Sequence, residues 1–286
     1  MSIDLSVLAS GSSGNCSLVR TPSGLMLIDA GIGPRAAARR MTGLGVVAAD
    51  IRCICLTHLD SDHFTPSWLN TIIEKGIQLF CPREQVGDVL RHARRAEKLA
   101  EIKPLLRPFD SEVFHPMADV RCTATRVAHD QQGSYAFQID CQGRRLAYAT
   151  DLGHVPASLN AFFHGASILA IESNYDPDMQ LQSGRPERLK ERIMGGAGHL
   201  SNRQAFESVQ AVFRHTLQAH GRDQLPRHVV LLHRSRQCNC TTIIHRLFSS
   251  DPLIGPRVTL AHPYQRTEWL QSMTHAPAAC EQLCLF

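Results

Sequence analysis

Short apolar runs separated by turn residues dominate the chain. Residues 3–9 alternate apolar and polar side chains, and 16–20 and 25–28 follow across Gly/Ser/Asn and Thr-Pro-Ser-Gly turns, which predicts an opening β-meander. Further strands are expected at 51–56, 77–81, 120–128, 135–139, 146–149, 168–171, 228–232 and 258–261. Helical spacing is clearest at Trp68, Leu69, Ile72 and Ile73, in a helix predicted to start with Thr65 as N-cap and Pro66 at its first position and to end at Gly76. Other helices are expected from Pro34 to about Gly43, over 83–100 as one long basic helix, over 156–163, around 187–194 and over 241–248. Ser201 and Gln204 have the spacing of a capping box, which starts a helix running to about His220. Residues 104–116 read as irregular, and 174–198 as a polar loop able to act as a lid around its helical part. Strands alternating with helices predict an α/β protein, with one domain over 1–270 and a loose tail over 271–286.

Composition narrows the setting. Hydrophobic residues make up 43% of the 286, enough for a sizeable core, and the net charge of +4 tolerates a polyanionic partner without demanding one. No apolar stretch reaches the roughly 18 residues of a membrane span, and the start lacks the layout of a signal peptide. A soluble, cytoplasmic protein is expected. None of the ten cysteines forms a Cys-x-x-Cys pair, so reduced thiols are expected rather than a zinc ribbon or disulfide framework. Cys238 and Cys240 stand apart because they follow His233 closely.

The candidate chemistry sits at strand ends. Leu-Thr-His-Leu-Asp-Ser-Asp-His, residues 56–63, puts His58, Asp60, Asp62 and His63 on one strand-to-helix turn. Residues two apart do not share a helix face, whereas a turn can converge them. Three more apolar strands run into His129, Asp151 and His233. Strand ends meet along one edge of a sheet, where α/β proteins commonly place their sites. Seven donors exceed one tetrahedral ion and suit two divalent ions sharing a carboxylate. Asp62 is the carboxylate best placed to ligate and to orient a nucleophile. His199, just before a capped helix N-terminus, suits phosphate binding or general-acid work together with Ser201 and Asn202. Ser173 and Asn174 lie past a strand end and face either the same cleft or a turn. Arg185, Arg188, Lys190 and Arg192 make a helix basic, as a charged surface or as a phosphate-backbone contact, and the Gly/Ser loop at 10–15 reads as a hairpin connection or a phosphate cradle.

These features resemble the metallo-β-lactamase fold. Leu8-Ala9-Ser10-Gly11-Ser12-Ser13-Gly14-Asn15, Leu27-Ile28-Asp29-Ala30-Gly31, Ala149-Thr150-Asp151-Leu152-Gly153, Glu172-Ser173-Asn174-Tyr175-Asp176 and Gly198-His199-Leu200-Ser201-Asn202 narrow the likeness to its small nuclease branch, the YycJ/WalJ type. The resemblance implies a four-layer αββα sandwich and a metal-dependent phosphodiesterase, a 5′ exonuclease with nucleic acid as substrate. It also implies that His58, residue 60 and His129 hold one ion, that Asp62, His63 and His233 hold a second, and that Asp151 bridges them. The usual motif is His-x-His-x-Asp-His, and its second histidine is Asp60 here. A harder ligand shifts preference from Zn²⁺ towards Mn²⁺, Fe²⁺ or Mg²⁺. Asp60 could instead hydrogen-bond a ligand histidine. Cys238 also departs, standing where the branch tends to carry Asn. Two other readings stay open: a hydrolase of small thioesters, lactones or phosphodiesters, and a binding protein with an impaired metal site.

Overall fold

The computed structural model describes residues 3–273. The first half builds β1 (Asp4–Ala9), β2 (Cys16–Thr21), β3 (Gly24–Ile28), β4 (Ile51–Cys55), β5 (Gln78–Pro82) and β6 (Leu106–Phe109). The second half builds β7 (Val113–Met117), β8 (Val120–Val127), β9 (Ser134–Cys141), β10 (Arg144–Ala149), β11 (Ile168–Glu172), β12 (His228–Leu232) and β13 (Val258–Leu260). The last strand, β14 (Leu270–Gln271), returns to pair with β1. Two seven-stranded sheets result, ordered β14-β1-β2-β3-β4-β5-β6 and β13-β12-β11-β10-β9-β8-β7. In each sheet an antiparallel meander, β1-β2-β3 or β7-β8-β9-β10, is continued by parallel strands.

The period-2 pattern explains the layering. Along β9, Tyr135, Phe137, Ile139 and Cys141 point between the sheets while Ala136 points outward; along β12, Val230 and Leu232 point inward while Val229 and Leu231 point outward. The outer face of the first sheet is covered by α1 (Pro34–Met41), α2 (Trp68–Lys75), α3 (Val86–Arg95) and α4 (Leu99–Ile102). On the second sheet lie α5 (Ala157–Phe163), α8 (Asn202–His220) and α9 (Thr241–Phe248); α6 (Pro177–Gln182) and α7 (Glu187–Met194) precede α8 in the chain. The architecture is the four-layer αββα sandwich. Among the described residues no helix is long and apolar enough to cross a membrane. The eight described cysteines are free, and Cys53 and Cys55 are core residues.

Several local expectations are corrected. Residues 104–116 are not irregular but form β6 and β7; Pro108 and Pro116 are tolerated because both strands are sheet edges. The long helix over 83–100 breaks at Glu97, whose φ of 58° closes α3 as a left-handed cap, with Lys98 N–H donating to Ala93 O. Thr65 and Pro66 form a turn, so α2 starts at Trp68, whose N–H donates to Thr65 O. The polar loop at 174–198 contains α6, started by Asp176 as N-cap (its carboxylate accepts from Met179 N–H) and Pro177, as well as the expected α7. Gln271, assigned to the tail, is in a strand, and Ser272 Oγ accepts from Ile3 N–H; the rest of the expected tail, from residue 274, lies outside the described residues.

The core between the sheets is aromatic where β6, β7 and β9 face each other. Phe137 is fully buried against Phe109 and Phe114. Phe137→Ala is expected to cost about 3–5 kcal/mol of unfolding free energy in a denaturant titration, because the large void cannot collapse between two sheets.

Candidate metal centre

Strands β3, β4, β8, β10, β11 and β12 all leave their sheets at one edge, and each hands the chain to a polar residue there. Three of these residues bend back with left-handed backbones: Asp29 (φ 60°), Asp151 (φ 54°) and His233 (φ 49°). Asp and His are among the side chains that tolerate that region best. The turn carrying the four-donor cluster is clamped. His63 N–H donates to Asp60 O, Ala30 N–H to His63 O and Asn15 N–H to Asp62 O. Gly31 is required for this approach, since a Cβ there would sit 1.8 Å from Asp62 O. The seven expected donors therefore meet. Six are largely withdrawn from solvent, with His58, His63, His129, Asp151 and His233 buried, Asp62 partly so, and Asp60 exposed.

Their spacing separates into two kinds of contact. His63 Nε2 and Asp151 Oδ2, and His233 Nδ1 and Asp151 Oδ1, are in direct ion-pair contact, both at 2.9 Å. Longer separations link the rest: Asp62 Oδ2 to His233 Nε2 (3.5 Å) and His63 Nε2 (3.7 Å), Asp60 Oδ2 to His58 Nε2 (3.7 Å) and His129 Nε2 (3.9 Å), and His129 Nε2 to Asp151 Oδ1 (3.8 Å). These exceed hydrogen-bond length. They are close to the roughly 3.4 Å separating two ligands at tetrahedral angles on one ion with bonds of about 2.1 Å. Asp60 thus makes no hydrogen bond to His58.

The residues fit divalent metal. His58 Nδ1 donates to Thr57 Oγ1, whose own proton goes to the Asp29 carboxylate, so the ring presents a lone pair at Nε2. That Nε2 is buried without a partner, and so is Nε2 of His233, whose Nδ1 bonds Asp151 and Glu172. Two ring nitrogens left without a partner in the interior beside carboxylates are what an ion satisfies. Donor sets that can close on an ion are His58–Asp60–His129, His58–His63–Asp151 and Asp62–His63–His233. A fourth adds Glu172 and His199 to Asp151 and His233.

Charge supports the arrangement. Burial pushes the Asp151 carboxyl up, yet His233 and His63 outweigh it and hold it well below the usual carboxylate range. Burial likewise raises Asp62, but the nearby imidazoles of His233 and His63 bring it down to about 2. Burial, then His63, lowers the His58 imidazole, which keeps its lone pair available.

Sequence reasoning gave no role to the carboxylates behind the imidazoles. Asp29 Oδ2 is 2.8 Å from His63 Nδ1. Glu172, fully buried, sits 2.8 Å from His199 Nδ1 and 3.1 Å from His233 Nδ1, and its other oxygen accepts from Leu152 and Leu200 N–H. A carboxylate following an apolar strand, Leu27-Ile28-Asp29 and Ala170-Ile171-Glu172, was the available signal. His199 borders a cavity of about 350 Å³ with Asn174 and Ser12. The other expected substrate contacts face elsewhere. Ser173 Oγ donates to Asn202 Oδ1, Asn202 is also bound by Asn239, and Ser201 caps α8; all three are buried. A second cavity of about 610 Å³ opens on His58, Asp60 and His129. Cys238 is buried away behind α6, its carbonyl accepting from Asp176 N–H, and Cys240 is the N-cap of α9.

The family model described as the Beta-lactamase superfamily domain matches residues 25–233. The chain is 28% identical over 205 residues to the exodeoxyribonuclease YycJ of Bacillus anthracis, covering 72% of this chain and 75% of that protein. It is 25% identical over 205 residues to the exodeoxyribonuclease WalJ of Streptococcus pneumoniae, covering 71% and 74%. Among solved structures it is similar to the short form of human tRNase Z, with a TM-score of 0.64, 18% identity and coverage of 93% of this chain and 98% of that one. The metallo-β-lactamase fold protein YhfI of Bacillus subtilis gives a TM-score of 0.63 at 15% identity, covering 93% and 99%.

If Asp29 and Glu172 orient the imidazoles, neutralising either weakens metal retention. Asp29→Asn and Glu172→Gln are each expected to reduce affinity for Zn²⁺ or Mn²⁺ about 10- to 100-fold. Elemental analysis after dialysis against graded chelator checks this; unchanged retention in both would assign the pair a purely structural part.

Proposed function

The chain belongs to the β-lactamase superfamily, and from that premise we propose that it is a divalent-metal-dependent hydrolase that cleaves nucleic-acid phosphodiesters, a 5′ exonuclease of the cytoplasm. The observation that carries the reading is the pairing of two unequal donor sets around one buried carboxylate, Asp151, beside open cavities that reach His199 on one side and Asp60 on the other. The exodeoxyribonuclease relatives support the choice of substrate.

In this reading His58, Asp60 and His129 would hold one ion and Asp62, His63 and His233 the other, with Asp151 available to both. Bound Zn²⁺ or Mn²⁺ would supply Lewis acidity for a phosphoryl oxygen and lower the pKa of the attacking water. The protein supplies the rest. Asp62, held by Asn15 Nδ2 at 3.2 Å from its Oδ2, orients the water and accepts its proton. His199 keeps Nδ1 on Glu172, which leaves Nε2 to donate a proton to the departing sugar oxygen. Asn174, bordering the same cavity, fixes His233 through its carbonyl (Nδ2 donates to His233 O, 2.6 Å) and is the substrate contact retained from the expected group. The side chains of Ser173, Ser201 and Asn202 support the backbone beneath it.

The test uses purified protein loaded with Mn²⁺ or Zn²⁺ and labelled 5′-phosphorylated DNA and RNA, single- and double-stranded. Metal-dependent release of nucleotides from the 5′ end is expected, and Asp62→Ala should lower kcat by about 10²–10⁴. His199→Ala should slow DNA cleavage by a similar factor yet slow bis(p-nitrophenyl) phosphate far less, because nitrophenolate leaves without a proton. Stable metal without nucleolysis would redirect the search to small esters. Failure to retain any metal would overturn the hydrolase reading.

A further inference from the structure

Beyond the metal centre the molecule holds a concentration of arginine without matching acid. A cleft of about 470 Å³ is bordered by Arg185, Arg234, Arg236 and the Gly11-Ser12-Ser13 turn. None of these arginines has a carboxylate within ion-pair distance among the described residues. Their partners are neutral. Arg185 donates to Gln180 Oε1, Gln237 Oε1 and Ser235 Oγ; Arg234 gives two N–H groups to Ala261 O; Arg236 donates to Tyr264 Oη. Arg40, next to the cleft, is likewise spent on the carbonyls of Leu8 and Pro263. A guanidinium stays charged and carries five N–H donors, so these contacts leave donors and charge uncommitted.

A number of arginines elsewhere on the surface are ion-paired: Arg20, Arg83, Arg91 and Arg145 all face carboxylates. Like charges gathered without counter-charge repel one another, and the cost is offset when an anion binds. Burial, then Arg234, Arg40 and Arg236, push the His262 imidazole beside the cleft below its ordinary value. The cleft is also continuous with the cavity at His199, since Ser12, Arg185, Ser235 and Gln237 border both. Ser12 and Ser13 are exposed at the tip of the turn, where hydroxyls and arginines converge on one space.

We propose that this cleft is a phosphate-binding subsite that holds the nucleic-acid strand beside the metal centre, with Arg185, Arg234 and Arg236 as its recognition groups. The inference rests on the nuclease reading for the identity of the ligand, but its test needs no cleavage. Fluorescence anisotropy of the full chain in excess chelator measures binding of a 3′-labelled single strand carrying a 5′-phosphate and of its 5′-hydroxyl twin. Wild type should bind, and Arg236→Gln and Arg185→Gln should each weaken binding about three- to tenfold and flatten the log–log salt slope by about 0.7, the share of one single-strand phosphate contact. Arg91→Gln, on α3, should leave affinity unchanged. A preference for the phosphorylated strand that disappears in the variants assigns the cleft to the terminal phosphate. Equal loss for both strands assigns it to an internal phosphate. Variants that bind like wild type, or an equal loss in Arg91→Gln, overturn the subsite even if the protein cuts DNA. Arginine-dependent binding without any cleavage keeps the subsite and overturns the nuclease.

Discussion

A buried carboxylate between two buried imidazoles is the constraint from which the rest of the site follows. Asp151 cannot carry charge in the interior unless that charge is matched. Its two oxygens meet His63 and His233, and each imidazole is backed by another carboxylate. The sequence of contacts is Asp29–His63–Asp151–His233–Glu172–His199, with separations of 2.8, 2.9, 2.9, 3.1 and 2.8 Å. Acid and base alternate along it. Asp29 comes from the end of a strand in the first sheet, and Asp151, Glu172 and His233 from strand ends in the second. The same contacts that compensate charge therefore tie the mouths of the two sheets together. Removing one member leaves its neighbour buried and unpaired, so the chain acts as a unit.

Holding such a unit requires backbone that ordinary strands do not supply. Left-handed residues at Asp29, Asp151 and His233 turn side chains back over the sheet edge, at a cost of order 1–3 kcal/mol each. The offset comes from the three apolar clusters: one between the sheets and one under each helical layer. That division explains why polar chemistry is confined to one edge. The interior faces of β9, β10 and β12 carry aromatic and aliphatic side chains, and polarity begins where the strands stop.

The sequence reveals the strand ends because an apolar run followed at once by His or Asp is a local pattern. His58, His63, His129, Asp151 and His233 stand out on that basis; strand and helix spacing gives the α/β class, and the four-layer order comes from the family resemblance. Orientation is not legible. Ser173 and Asn202 are near the right place, but which way each points depends on Asn239, 37 positions beyond Asn202, which bonds Asn202 and the carbonyls of Ser173 and Asn174. Asp29 and Glu172 were hidden because an acid at a strand end also describes an ordinary turn. β6 and β7 are not legible because edge position, which makes Pro108 and Pro116 tolerable, is a property of the whole sheet. The start of α6, by contrast, is a local signal: Asp176 as N-cap followed by Pro177 at the first helical position.

Asp60 makes the two donor sets chemically unequal. The set of Asp62, His63 and His233 is withdrawn from solvent and backed by Asp29 and Glu172. The set of His58, Asp60 and His129 opens on a cavity, and its carboxylate is 57% exposed. His58 there leans only on the hydroxyls of Thr57 and Ser134, and His129 on the carbonyl of Gly198. Neutral partners make an imidazole a weaker donor than a carboxylate partner does. An imidazole at position 60 would have kept this set soft and less negative; a carboxylate adds a full charge and a harder oxygen on the solvent side. On the proposed reading, the outer set would take the harder, more exchangeable ion and the inner set would retain its own, a difference set by one residue and by which partner stands behind each ring.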